Sequence, residues 1–164
     1  MNDSQYAVKP LGIFGVVAGQ GEFEQLRDEL RRLVGVVPES ERPAIAGYLR
    51  AGAIVFAIMS YSWDVLGGIP AAQLTRGQPL EPGAVGGAFV VPGGLGIQTD
   101  GAFYWRQDAA DYVECYGVSL PEDFLRHGRA LDWQARAMTR DDILAVDQYL
   151  MKHAHRLRPR DNRA

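Results

Sequence analysis

Two short runs, Leu95 to Thr99 and Ala102 to Trp105, are separated only by Asp100-Gly101. Both residues tolerate positive φ, which makes Asp-Gly a favoured connection between antiparallel strands. The pair predicts a β-hairpin, and the rest of the chain has to supply the surfaces that cover it. Two other apolar runs suit that role. Leu11 to Val17 reads as a buried strand closed by Gly19 and Gly21. Ala53 to Met59 is apolar on both faces and reads as a central strand.

Between and after these runs the period becomes helical. Phe23, Leu26, Leu30, Leu33 and Val34 define one face of an amphipathic helix that Gly35 and Pro38 end. Ser40 is placed to cap a second helix with Pro43 in its first turn, Ile45, Tyr48 and Leu49 on its apolar face and Gly52 as a left-handed terminus. Asp108 is placed to cap a third, which carries Tyr112, Val113, Cys115 and Tyr116 and stops at Gly117. Ser119-Leu120-Pro121-Glu122 has capping-box spacing for a short helix closed by Gly128, and Thr139 opens the last helix. Gly67 to Gly94 is dense in glycine and proline and reads as a long irregular loop, with an extended piece near Ala88 to Val91.

These elements predict an α+β fold. A small antiparallel sheet contains Leu11–Val17, Ala53–Met59 and the Leu95–Trp105 hairpin, with helices packed on one side. Residues 1–155 form a single domain, and residues 156–164 form a basic, flexible tail.

The balance of charges narrows the function. Net charge is −3, with 23% charged residues, which argues against a general nucleic-acid binder. Arg156, Arg158, Arg160 and Arg163 could touch nucleic acid, but no aromatic platform accompanies them. The longest apolar run, Ala53 to Met59, is far short of the ~20 residues that span a bilayer. A single cysteine and a polar start predict a cytoplasmic protein without membrane association.

Reactive constellations are sparse. His153 and His155 fall on different helix faces and His127 is distant, so no metal site is predicted. Cys115, between Tyr112 and Tyr116, reads as a small core residue. Gly93-Gly94-Leu95-Gly96 precedes a strand where a phosphate cradle needs a helix N-terminus, so no nucleotide cofactor is predicted. Asp111 and Glu114 share a helix face but look solvated, which does not separate an acid from a base.

From Asp100 to Asp123 the chain sets Asp100, Asp108, Asp111, Glu114, Glu122 and Asp123 against Arg106, interleaved with Phe103, Tyr104, Trp105, Tyr112 and Tyr116. Exposed rings supply contact area and carboxylates steer a basic partner. The stretch predicts a docking face made by Tyr104, Arg106, Asp108, Asp111, Tyr112, Glu114, Glu122 and Asp123. The same residues also suit a hydrophobic hairpin-helix unit with a solvated acidic rim.

Thr99-Asp100-Gly101, the aromatic pair Tyr104-Trp105, Arg106-Gln107-Asp108, Tyr112-Val113-Glu114-Cys115-Tyr116 and Leu120-Pro121-Glu122-Asp123-Phe124 form a pattern. With Tyr48-Leu49-Arg50-Ala51-Gly52 ahead of an apolar strand, it resembles immunity proteins of bacterial polymorphic-toxin and contact-dependent competition systems. The resemblance covers about half the chain. It implies a non-enzymatic cytosolic inhibitor that plugs a cognate toxin domain, one with a basic active-site cleft if that toxin acts on nucleic acid. Two rivals stay open: a small enzyme using Asp108, Asp111 or His127 under the Gly/Pro loop, and a nucleic-acid-associated module using the tail.

Overall fold

The computed structural model describes residues 7–15, 23–59, 61–67 and 87–153. Its centre is the hairpin. Strands β5 (Ile97–Thr99) and β6 (Phe103–Arg106) pair antiparallel, with Thr99 opposite Tyr104 and Ile97 opposite Arg106. The turn sits one residue later than Asp100-Gly101 predicts: Asp100 N–H donates to the Phe103 carbonyl at 3.3 Å, leaving Gly101-Ala102 as the loop. Gly101 takes the positive φ of +91° that this turn requires. The Asp100 side chain is thereby freed to accept from Ala102 N–H at 2.8 Å and Phe103 N–H at 2.7 Å.

Around the hairpin the sheet has the order β1-β6-β5-β2, where β1 is Lys9–Pro10 and β2 is Ala53–Phe56. β1 runs parallel to β6, so the sheet is mixed where a purely antiparallel one was expected. The predicted strand over Leu11–Val17 is replaced by a 3-10 turn at Gly12–Gly15, with residues 16 and 17 outside the described residues. Leu11 and Phe14, three apart, both point into the core, and Phe14 N–H donates to the Leu11 carbonyl at 2.9 Å. β2 is an edge strand, not the central one, and its pairing with β5 is broken by an irregularity between Ile54 and Phe56. Ile54 and Met59 are exposed in consequence.

Helices cover both faces of the sheet. Successive residues of β6 point to opposite sides. Phe103 and Trp105 join one core with α1 (Phe23–Leu33), α2 (Arg42–Arg50), α3 (Ala109–Tyr116) and α4 (Glu122–Ala130). Tyr104 joins Ile97, Val8, Val146 and Leu150 in a second core under α5 (Arg140–Lys152). The first core holds most of the large side chains, among them Leu30, Tyr48, Tyr112 and Phe124. Against the expectation of helices on one side, α5 closes the opposite face.

Several helix ends differ from their sequence signals. Glu41, not Ser40, occupies the α2 cap position. Gly52 is not a left-handed terminus; a Cβ there would lie 2.5 Å from Trp105 Cζ2, so the position is small because the indole passes over it. Asp108 and Pro121 stand at the caps of α3 and α4 without side-chain capping bonds, and the Ser119–Glu122 box does not form. Gly128 is buried inside α4, where a Cβ would collide with Trp133. Thr139 does cap α5, in a reciprocal box with Asp142.

A second sheet of two strands, β3 (Tyr61–Trp63) and β4 (Val90–Pro92), flanks the first core. The extended piece expected near Ala88 to Val91 is thus β4. Residues 68–86 of the Gly/Pro stretch and residues 154–164, which include the basic tail, lie outside the described residues.

Candidate functional site

The stretch singled out for docking divides between interior and surface. β6 is an inner strand covered on both faces, so each of its residues is buried. Tyr104 belongs to the second core. Arg106, 1% exposed, forms a bidentate ion pair with the equally buried Asp108: Nε donates to Oδ1 at 2.9 Å and Nη2 to Oδ2 at 3.2 Å. The Ser62 hydroxyl of β3 donates to the same Asp108 Oδ2, and the guanidinium lies over the Phe14 ring. Tyr112 is fully buried; its hydroxyl donates to the Trp63 carbonyl at 3.1 Å and accepts from Val65 N–H at 3.0 Å. Burial, then the nearby Asp108 carboxylate, hold its phenol far above the usual tyrosine range. Tyr104, Arg106, Asp108 and Tyr112 therefore cannot meet a partner directly, which corrects the predicted docking face.

Two more interior carboxylates organise backbone. Asp100 gathers Tyr48 from α2 (hydroxyl to Oδ2, 2.6 Å), its own turn, and His127 from α4 (Nε2 to Oδ2, 3.1 Å). Asp64, not among the residues expected at a site, accepts from Leu66 N–H at 2.9 Å, Ala88 N–H at 2.8 Å and the Tyr116 hydroxyl. Its Asp-Val-Leu-Gly setting after an aromatic run was the available signal for a side chain that bonds backbone two residues on. Both carboxylates hold loops by charge-assisted bonds.

The rest of the predicted face, exposed at Glu114, Glu122 and Asp123 and half-buried at Asp111, lies at the two ends of α2. At its C-terminal end, Arg50 Nη2 bonds Glu114 at 2.6 Å and Asp111 at 3.2 Å, both on α3. The bond to Arg50 lowers the Glu114 carboxyl, while burial outweighs the same arginine and raises Asp111. Near its start, Arg129 bridges Glu41 at 3.3 Å and Glu122 at 3.6 Å, and Asp123 reaches Lys9 at 3.6 Å. Nine helical residues separate the two groups by roughly 13 Å. The acids form two bridged clusters, not one continuous patch.

A narrow cleft opens between β3 and the first core. Tyr61, Ser62 and Trp63 bound one side, and Arg106, Asp108 and Tyr112 the other. Tyr61 is half exposed, with its ring centroid 6.5 Å from that of Trp63. The Trp63 indole nitrogen is buried and has no hydrogen-bond acceptor among the described residues. β3 carries no sequence signal of its own, because three residues are too few for strand alternation to register.

The other candidates separate. Asp108 and His127 sit in different polar clusters, so they do not share one pocket. Among the described residues no group of three or more histidines, cysteines and carboxylates could hold a metal. His153 bonds back to the Tyr149 carbonyl of its own helix at 2.8 Å, and His155 lies outside the described residues. Cys115 is exposed, contrary to the core role expected for it, because α3 turns Tyr112 and Val113 inward and Glu114 and Cys115 outward. No described helix is long and apolar enough to cross a membrane. No family model, no curated relative and no solved structure matches the chain.

Proposed function

We propose that the chain is an immunity-type inhibitor that binds a cognate toxin domain and occludes a basic active-site cleft. One observation carries the reading: Asp111 and Glu114 share the single guanidinium of Arg50 on the outer ridge of α2 and α3. Two carboxylates face one guanidinium there, Glu114 exposed and Asp111 half-buried beside it. α2 and α3 are held together beneath it by Ile45, Leu49, Ala109 and Val113, all fully buried. A fixed negative group of this kind steers association with a basic surface and needs little reordering when it docks. The buried carboxylates support the same reading, since Asp64, Asp100 and Asp108 each hold internal partners and serve the scaffold.

The test is co-expression with the product of the neighbouring gene. The proposal expects restored growth and a complex on gel filtration. It also expects association to slow in salt and in Glu114→Gln combined with Asp111→Asn. Continued growth arrest with no co-elution defeats it.

A further inference from the structure

We propose that Asp64 is a clasp: its one carboxylate joins the two flanks of residues 68–86 to each other and to α3, so the fold stands without a covalent link across that stretch. The inference is independent of the inhibitor reading. On the leading flank, Asp64 Oδ1 accepts from Leu66 N–H at 2.9 Å and Gly67 N–H at 3.3 Å. On the returning flank, Oδ2 accepts from Ala88 N–H at 2.8 Å, and the same oxygen takes the Tyr116 hydroxyl of α3. The flanks are therefore no farther apart than two bonds and one carboxylate, roughly 8 Å. Gly87 shows how close the approach is, since a Cβ there would lie 2.8 Å from the Asp64 Cβ.

Each flank also has its own hold on the first core. Val65 N–H donates to the Tyr112 hydroxyl at 3.0 Å, and the Val65 carbonyl accepts from Arg27 Nε at 3.0 Å. The Phe89 ring stands edge-on to that of Tyr112, with centroids 4.8 Å apart. Asp64 N–H donates across the neck to the Phe89 carbonyl at 3.3 Å. Asp64 is fully buried, and bonds to a buried charge are the strong class. Closing a chain loop costs only a little more as it lengthens, so the intervening residues add little to flanks held this way. α3, which carries Asp111 and Glu114, keeps its place for the same reason.

The experiment cuts the full chain after it has folded. A site-specific protease sequence flanked by glycine and serine is inserted between Arg76 and Gly77 and cleaved. The cut protein should elute as one species and keep the nitrogen-15 spectrum of α3, β5 and β6. Separation of the two pieces, or loss of that spectrum, overturns the proposal. Amide exchange then tests the clasp itself, at Ala88 and at residue 64. Cutting alone should leave both rates nearly unchanged. Asp64→Asn keeps one acceptor and loses the charge, and in the cut chain it should quicken both about tenfold. Where that variant does not fold, Tyr116→Phe removes only the bond from α3 and carries the same comparison, with a smaller increase expected. Equal exchange in cut chains with and without the substitution shows that Asp64 does not hold the flanks.

Discussion

The hydroxyl of Tyr48 donates to Oδ2 of Asp100 across 2.6 Å and 52 residues of sequence. It ties the last turn of α2 to the tip of the hairpin. Burial first, then the bond to Asp100, hold the Tyr48 phenol well above the ordinary tyrosine range, and Tyr112 is raised by burial and Asp108. The folded state thus keeps both phenols protonated where the unfolded chain, with tyrosines near pH ~10, releases them. The resulting stability is complete below about pH 10 and is lost as pH climbs, by ~1.4 kcal/mol per pH unit for each phenol. Urea unfolding between neutral and strongly alkaline pH should show this decline, reduced in slope by Tyr48→Phe. That variant should also lose about 2 kcal/mol at neutral pH. Stability that stays flat through pH 11 contradicts the assignment.

Arg106 and Asp108 make a test of pair chemistry. Asp108→Ala leaves a buried guanidinium without its counterion and should cost about 3–5 kcal/mol. Arg106→Met combined with Asp108→Ala removes both charges and should cost less than the sum of the single changes. Additive losses in denaturant titration would show that the two side chains do not act as a pair.

Gly52 is constrained by its neighbour. Gly52→Ala places a methyl 2.5 Å from Trp105 Cζ2 and 3.3 Å from the Leu49 and Thr99 carbonyls. A destabilisation of about 1–3 kcal/mol should follow, with a change in Trp105 fluorescence. Wild-type unfolding and emission would mean that the indole can move aside at no cost.

Cys115 is exposed, and burial followed by Asp111 and Glu114 raises its thiol above the ordinary range. Alkylation by iodoacetamide in the native protein should therefore lag a free cysteine near pH 8 and gain on it as pH rises. Asp111→Asn combined with Glu114→Gln should narrow the lag. A native rate above that of free cysteine at pH 8 would reverse the assigned direction.

What could be read from the sequence divides along physical lines. The hairpin was visible because its turn needs unusual backbone angles, and α1 because Leu26, Leu30 and Leu33 repeat at helical spacing. The start of α5 was visible because Thr139 caps it. β1 and β3, with two and three residues, are too short to carry a period. The orientation of Phe103, Tyr104, Trp105 and Arg106 was hidden for a different reason: a strand covered on both faces has no polar side to mark outward positions. Asp108 shows the same limit in a charged residue. An aspartate ahead of a helix suggests a cap, and only the tertiary fold shows Arg106 and Ser62 claiming its oxygens.

The interior carboxylates also bear on how the chain reaches this state. The Tyr48–Asp100, Ser62–Asp108 and Tyr116–Asp64 bonds join positions 52, 46 and 52 residues apart. None can form from a local stretch, so large chain loops must close before any of these bonds contributes. Refolding should accordingly be paced by distant encounters, on the slower timescales of non-local topologies, with secondary structure in α1 and α5 free to flicker earlier.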